Sequence, residues 1–131
     1  MFRVEKKNNI MRWVPVYAWA IVILFLSAYP SPPQVFPSVN NMDKVVHFAE
    51  FGILGFFVSR ACLYSSKGRF YNNLLLGLIL GGGYGILMEL VQHFVPGRYP
   101  SLDDAAANTA GMIFGMVSMI IKSRKLIVWH K

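Results

Sequence analysis

The chain contains four long apolar runs separated by short polar segments. The first run, 13–29, carries no charged side chain, and the second, 43–63, is polar only at its start. The third, 70–95, is interrupted by a few polar residues, and the fourth is 102–121. Because a helix needs roughly 20 mostly apolar residues to cross a bilayer, this pattern predicts an all-α membrane protein, with four transmembrane helices in a single domain, 1–131.

The overall composition supports a membrane location. Hydrophobic residues make up 55% of the chain and charged residues 15%, whereas a soluble domain carries about 25% charged residues. The mean hydropathy is +0.45. A soluble protein of this size has too little interior to bury so much apolar surface. The single cysteine, Cys62, excludes a disulfide scaffold.

The first run has a second interpretation as a cleaved signal peptide, because basic residues precede it. Its apolar stretch is longer than the about 7–15 residues of such a peptide, and Leu26 and Ala28 form a poor small-x-small cleavage site. The pattern therefore favours a retained helix. Since this helix carries no charge, we expect it to be peripheral, with the other three helices forming the core.

The basic residues predict the orientation of the helices. Lys44 and Arg98 fall on one side of the membrane, and the other eleven Lys and Arg residues fall on the opposite side: Arg3, Lys6, Lys7, Arg12, Arg60, Lys67, Arg69, Lys122, Arg124, Lys125 and Lys131. By the positive-inside rule both termini are cytoplasmic. The net charge of +7 is thus a topology signal with an affinity for anionic lipid heads, and it does not indicate nucleic-acid binding.

Three predicted helices place a polar side chain at one depth. With a rise of about 1.5 Å per residue, Glu50, Glu89 and Asn108 each lie about 9–10 Å below the outer end of their helix. Polar residues on each helix also share a face, since they recur at spacings of three or four. Ionisable groups inside a membrane are costly, face the bundle interior and usually serve a function. The pattern therefore predicts a polar pocket near the outer leaflet.

The predicted pocket includes residues from all three helices and from the turn after the third. Arg98 follows a Pro96-Gly97 turn signal, where it would either neutralise carboxylates or bind an anionic head group bidentately. The candidate ligand-binding residues are Asp43, Lys44, His47, Glu50, Glu89, Gln92, Arg98, Asp104 and Asn108.

Several of these residues also have a structural interpretation. Asp43 favours the start of a helix. Gln92 and Asn108 could hydrogen-bond neighbouring helices. Ser101 with Asp104 three residues later resembles a capping box for the fourth helix.

The deep carboxylates are harder to explain by folding alone. Glu89, Glu50 and His47 are therefore the candidates for catalysis. With His93 they also offer nitrogen and oxygen ligands suited to a divalent metal ion. Their spacing matches no dedicated metal motif, so no cofactor is assigned from the sequence.

Two segments resemble the VanZ-like family: DKVVHFAEFGILG at 43–55 and ELVQHFVPGRYPSLDDAAANTAG at 89–111. The family's motifs are Asp-Lys-x-x-His at the second helix, Glu-x-x-Gln and Pro-Gly-Arg around the end of the third, and Asp-x-x-x-Asn-x-x-Gly in the fourth. The matching positions, in that order, are Asp43, Lys44, His47, Glu89, Gln92, Pro96, Gly97, Arg98, Asp104, Asn108 and Gly111. His93 and Asp103 look like local additions.

The resemblance implies a four-helix protein of the bacterial cell membrane with a role in the envelope, and its founding member is associated with resistance to the glycopeptide teicoplanin. It supplies no reaction. Three functions remain open. The protein binds or modifies an amphiphilic envelope ligand, such as a lipid or a lipid-linked precursor; it is a metal-dependent membrane enzyme; or it is a structural or accessory subunit.

Overall fold

The structure, a computed structural model, describes residues 9–30, 42–63 and 67–128. This part of the chain forms four α-helices and no strand: α1 Asn9–Ala28, α2 Met42–Cys62, α3 Lys67–His93 and α4 Leu102–Val128. Each contains a segment long and apolar enough to cross a membrane, which confirms the predicted fold class. Of the basic residues that predict orientation, Arg3, Lys6, Lys7 and Lys131 lie outside the described residues.

The helices differ from the apolar runs mainly at their ends. α1 and α3 begin before the apolar stretch does, and α4 continues past it to Val128. A helix can continue into polar sequence because its backbone hydrogen bonds do not require apolar side chains. α3 stops at His93, because Pro96 disfavours helical backbone in the residue before it.

A hydrogen bond and an ion pair connect the helices at one end of the bundle. Arg98, just after α3, donates to the carbonyl of Leu26 near the end of α1. Lys44 at the start of α2 lies 3.5 Å from Asp103 at the start of α4. The end of the bundle where α1 and α3 finish and α2 and α4 begin is called the polar end below.

Glycines allow α2 and α4 to pack backbone against backbone. A Cβ atom on Gly111 would overlap the carbonyl of Phe48, and one on Gly115 would overlap the carbonyl of Gly52. The spacing of four between Gly111 and Gly115 puts both on one helix face. This is the small-residue packing that membrane helices use for close approach, and it determines the separation between side chains at the polar end.

Three glycines of α3 face side chains rather than backbone. A Cβ on Gly77 would meet Val58, one on Gly81 would meet Met112, and one on Gly85 would lie 3.2 Å from the Cβ of Asn108. Gly85 therefore makes the space in which Asn108 lies, one turn before Glu89.

α1 is the least buried of the four spans, as expected for a peripheral helix, but one of its faces packs against the core. Ile23 and Ser27 are buried. The indole Nε1 of Trp19 donates to the backbone carbonyl of Glu50 at 2.8 Å, and the hydroxyl of Tyr84 donates to the carbonyl of Ala20. These bonds satisfy polar groups that lipid cannot solvate, so they attach α1 to α2 and α3.

Candidate functional site

A buried chain of hydrogen bonds joins α2, α4 and α3. His47 Nδ1 lies 3.1 Å from Asn108 Oδ1, and Asn108 Nδ2 donates to Glu89 Oε1 at 3.4 Å. All three side chains are buried, with Asn108 only 1% exposed. The sequence placed Glu89 and Asn108 at one depth on separate helices, and the structure brings them into contact.

The direction of these bonds determines which nitrogen of His47 carries a proton. Both oxygens of Glu89 accept hydrogen bonds, Oε2 from the N–H of Ser101 and Oε1 from Asn108, so the amide of Asn108 turns its NH₂ group toward the acid. Asn108 Oδ1 then faces His47 and requires a proton on Nδ1. In neutral His47 the other nitrogen, Nε2, is therefore the one with a free lone pair, and it lies 3.8 Å from Asp43 Oδ1.

Ser101 is the N-cap residue of α4, but it does not form the expected capping box with Asp104. Its Oγ accepts the backbone N–H of Asp103 at 3.2 Å, as an N-cap residue does. Its own N–H donates to Glu89 Oε2 at 3.1 Å, which is the bond that a capping box would assign to Asp104. The structural interpretation of Asp104 is thus wrong, and Glu89 of α3 takes its place.

Two acidic side chains lie near His47, and one of them, Asp43, is beside the ring nitrogen Nε2 that faces away from Asn108. Asp43, His47 and Asp104 each offer one ligand atom, and these atoms lie within 4.8 Å of one another. Asp104 is 5% exposed, whereas the side chain of Asp43 is 66% exposed. The cluster therefore extends from the buried chain of hydrogen bonds to the surface of the polar end.

A tight turn returns Arg98 to the bundle. The N–H of Arg98 donates to the carbonyl of Val95 at 3.1 Å, and Gly97 between them has φ of 79°. Proline at the second position and positive φ at the third define a type II turn, which glycine adopts without strain. The Pro-Gly-Arg motif is thus a device that places the Arg98 guanidinium, which reaches Leu26 of α1 with its Nη2 at 3.3 Å.

A cavity of about 250 Å³ opens between α1, α2 and the turn after α3. One wall consists of polar side chains, among them Glu50, His47 and Gln92. Arg98 also lines the cavity and contacts α1 through its bond to Leu26. The end of α1 contributes the other wall. The lining residues are Leu26, Ser27, Tyr29, Pro30, Asp43, Val46, His47, Glu50, Gln92 and Arg98.

Two of the predicted residues lie elsewhere. His93 is exposed and its ring packs edge-on against Phe94, so it does not join Glu89 and Gln92. The proposed metal set of His47, Glu50, Glu89 and His93 is therefore not assembled, and among the described residues the grouped ligands are Asp43, His47 and Asp104. Lys44 pairs with Asp103 at the surface.

Sequence reasoning missed the contribution of α1. Leu26 acts through its backbone carbonyl, which no side-chain pattern can identify. Trp19 also contributes, since its indole N–H donates to the backbone carbonyl of Glu50 on α2. Ser27 offered a signal, since it is the only serine in the apolar run 13–29 and lies near the same end.

The fold and the cluster define a multi-pass helical membrane protein with a buried polar site at one end. A model of the VanZ/LLP1 family matches residues 2–123. Because this match covers most of the 131 residues, the chain belongs to the VanZ/LLP1 family. No curated protein and no solved structure matches the chain.

Proposed function

We propose that this VanZ-family protein binds the polar head of an amphiphilic molecule of the bacterial envelope at the polar end of its bundle. The observation that carries this proposal is the cavity of about 250 Å³ in which Arg98, Glu50 and His47 line one space. Small-molecule sites are concave and contain few, convergent polar groups. Here Glu50 and His47 lie on a membrane-spanning helix and Arg98 on the turn after another, which suits a ligand that is itself partly in the bilayer.

Arg98 is the group best suited to an anionic head. Its Nη2 already donates to Leu26, but its Nε–H is buried and has no hydrogen-bond partner within the described residues. A buried donor without a partner costs about 1–3 kcal/mol. An anionic oxygen that accepts from Nε would remove that cost, and a guanidinium binds such groups through two parallel bonds.

A separate apolar cleft lies further along α1 toward the other end. It has a volume of about 430 Å³ and is lined by residues of α1 and α3, among them Tyr17, Leu76 and Leu80. Ala20, which lines this cleft, is about 10 Å along α1 from Ser27 of the polar cavity. A ligand with its head beside Arg98 would therefore place a hydrocarbon chain along the same side of α1.

The positive-inside rule supports an outer location for the polar end, with both termini in the cytoplasm. A lipid or a lipid-linked precursor of the envelope is the ligand class that fits this location. Altered susceptibility to teicoplanin is the cellular phenotype that we would then expect from loss of the protein. The alternative is a structural or accessory subunit whose polar cluster only holds the helices together.

Co-purification tests the proposal. We would purify the wild type, Arg98→Gln and the control Arg60→Gln, an exposed arginine at the far end of α2, and identify bound lipids by mass spectrometry. The expected result is an amphiphile enriched over bulk lipid in the wild type and the control, and lost in Arg98→Gln at an unchanged melting temperature. Equal lipid content in all three proteins would favour the structural alternative.

A further inference from the structure

We propose that Asp43, His47 and Asp104 form a binding site for a divalent first-row metal ion, manganese or zinc, between the first turns of α2 and α4. Their ligand atoms lie within 4.8 Å of one another. Ligands at about 2.0–2.2 Å from a common ion lie about 3.0–3.6 Å apart. Binding of an ion would require rotation of the two carboxylates to close that difference, and the Asp43 side chain, which is 66% exposed, has room for it.

The hydrogen-bond chain behind His47 is the second observation, and it lies outside the three ligands. A histidine that binds a metal donates its other ring N–H to a fixed acceptor, which orients the ring and selects the tautomer. Asn108 Oδ1 is that acceptor, at 3.1 Å from Nδ1. Glu89 holds the amide in this orientation, so Nε2 presents its lone pair on the side of the Asp43 carboxylate, 3.8 Å away.

Asp104 is available as a ligand because α4 does not use it as a cap. The N–H that a capping box would direct to Asp104 goes to Glu89 instead. Asp104 is buried, and the charges of His47 and Asp43 act on it more strongly than those of Lys44 and Asp103 do. Like charges in a poorly solvated place repel each other, and a divalent cation between them offsets that repulsion.

The donor set selects the metal. One imidazole nitrogen and two carboxylate oxygens suit manganese or zinc, whereas calcium and magnesium prefer oxygen ligands alone. The exposed side of Asp43 gives the ion access from the surface. Three protein ligands leave coordination positions open, and because Asp43 and His47 also line the cavity, an open position would face it.

If the proposed function is correct, that open position would accept an oxygen of a phosphate-bearing head group opposite Arg98. This step rests on the proposed function, whereas the metal site itself does not. Metal binding alone, with no lipid ligand, therefore tests the site separately.

The experiment measures Mn²⁺ binding to the full chain in uncharged detergent micelles by electron paramagnetic resonance and titration calorimetry. We expect one saturable site in the wild type, weakened at least about tenfold in Asp104→Asn and Asp43→Asn, as loss of a ligand or its support does. The matched control is Asp103→Asn, which changes the neighbouring exposed acid and should bind within about twofold of wild type.

Melting temperature distinguishes a lost ligand from a lost fold. Saturating Mn²⁺ should raise the melting temperature of the wild type and of Asp103→Asn but not that of Asp104→Asn, because only a bound ion stabilises the native state. Asp43→Asn alters an exposed side chain, so it keeps the test valid if Asp104→Asn fails to fold. No saturable site in the wild type, or equal weakening by Asp103→Asn and Asp104→Asn, would overturn the proposal. A metal site with no enriched amphiphile would leave this proposal standing and reject the proposed function.

Discussion

The backbone N–H of Ser101 donates to the Glu89 carboxylate across the turn that joins α3 to α4, at 3.1 Å. The second oxygen of the same carboxylate accepts from Asn108. Glu89 thus caps one helix, orients an amide on it, and through that amide determines the proton position on His47. Glu89 is therefore a positioning residue. The group that it positions is His47, which lies beside Asp43 and lines the cavity.

The change Glu89→Gln should reverse the polarity of this chain. A glutamine oxygen can accept from Ser101, but its NH₂ group then faces Asn108, which must turn its own oxygen toward residue 89. Asn108 would present NH₂ to His47, and the proton of neutral His47 would move from Nδ1 to Nε2. Nitrogen-15 NMR of the imidazole should report the tautomer change, and Mn²⁺ binding should fall with it.

The stability of Glu89→Gln should change by less than about 1.5 kcal/mol, since each hydrogen bond has a replacement. A variant with the original tautomer would show that Glu89 does not orient the chain. A large loss of stability with no change in the remaining His47 signal would mean that Glu89 serves folding alone.

Removal of the Asn108 amide should lower the stability of the protein more than reversal of the hydrogen-bond chain does. Asn108→Ala leaves Glu89 and His47, both buried, without the partner between them, and each unsatisfied group costs about 1–3 kcal/mol. The control is Thr109→Ala, an exposed neighbour that bonds only within its own helix and should change stability by about 0.5 kcal/mol or less. Thermal unfolding in detergent compares the two, and equal melting temperatures would contradict the prediction.

The contact between α2 and α4 should not tolerate a methyl group at Gly115. A Cβ there would overlap the carbonyl of Gly52, so Gly115→Ala must separate the helices, at a cost of about 1–3 kcal/mol. Gly83→Ala is the matched control, because nothing lies within 4 Å of a Cβ at Gly83. It should leave the melting temperature unchanged or raise it, since alanine favours helix over glycine. Equal stability of Gly115→Ala and Gly83→Ala would show that α2 and α4 do not pack this closely at Gly115.

The orientation in the membrane can be tested by labelling. In a Cys62→Ala background, Tyr99→Cys at the polar end should react with a membrane-impermeant thiol reagent in intact cells, because the positive-inside rule places this end outside. Lys67→Cys, at the start of α3, should react only after the cells are opened. Tyr99 is 85% exposed, so access does not limit the reaction. The reverse pattern of labelling would show that the topology is the opposite of the predicted one.

The sequence by itself determined the number of spans and the class of fold. Apolar runs of this length have no alternative to helices, because lipid cannot satisfy an exposed backbone. The spacing of Asp43, His47 and Glu50 placed them on one face, since helical periodicity is local. The Pro96-Gly97 pair predicted the turn for the same reason, because the backbone angles that proline and glycine favour are local properties of those residues.

Only the tertiary structure decided which polar groups meet. Helical periodicity assigned His93 to the face of Glu89, yet α3 ends there and the ring lies outside. Local spacing likewise paired Ser101 with Asp104, whereas the packing of α3 against α4 provides Glu89 as the acceptor. The close approach of α2 and α4, the bond from α1 to Glu50, and the cluster around His47 depend on the relative position of helices. No residue carries that information alone, because it arises from contacts between segments that are distant in the chain.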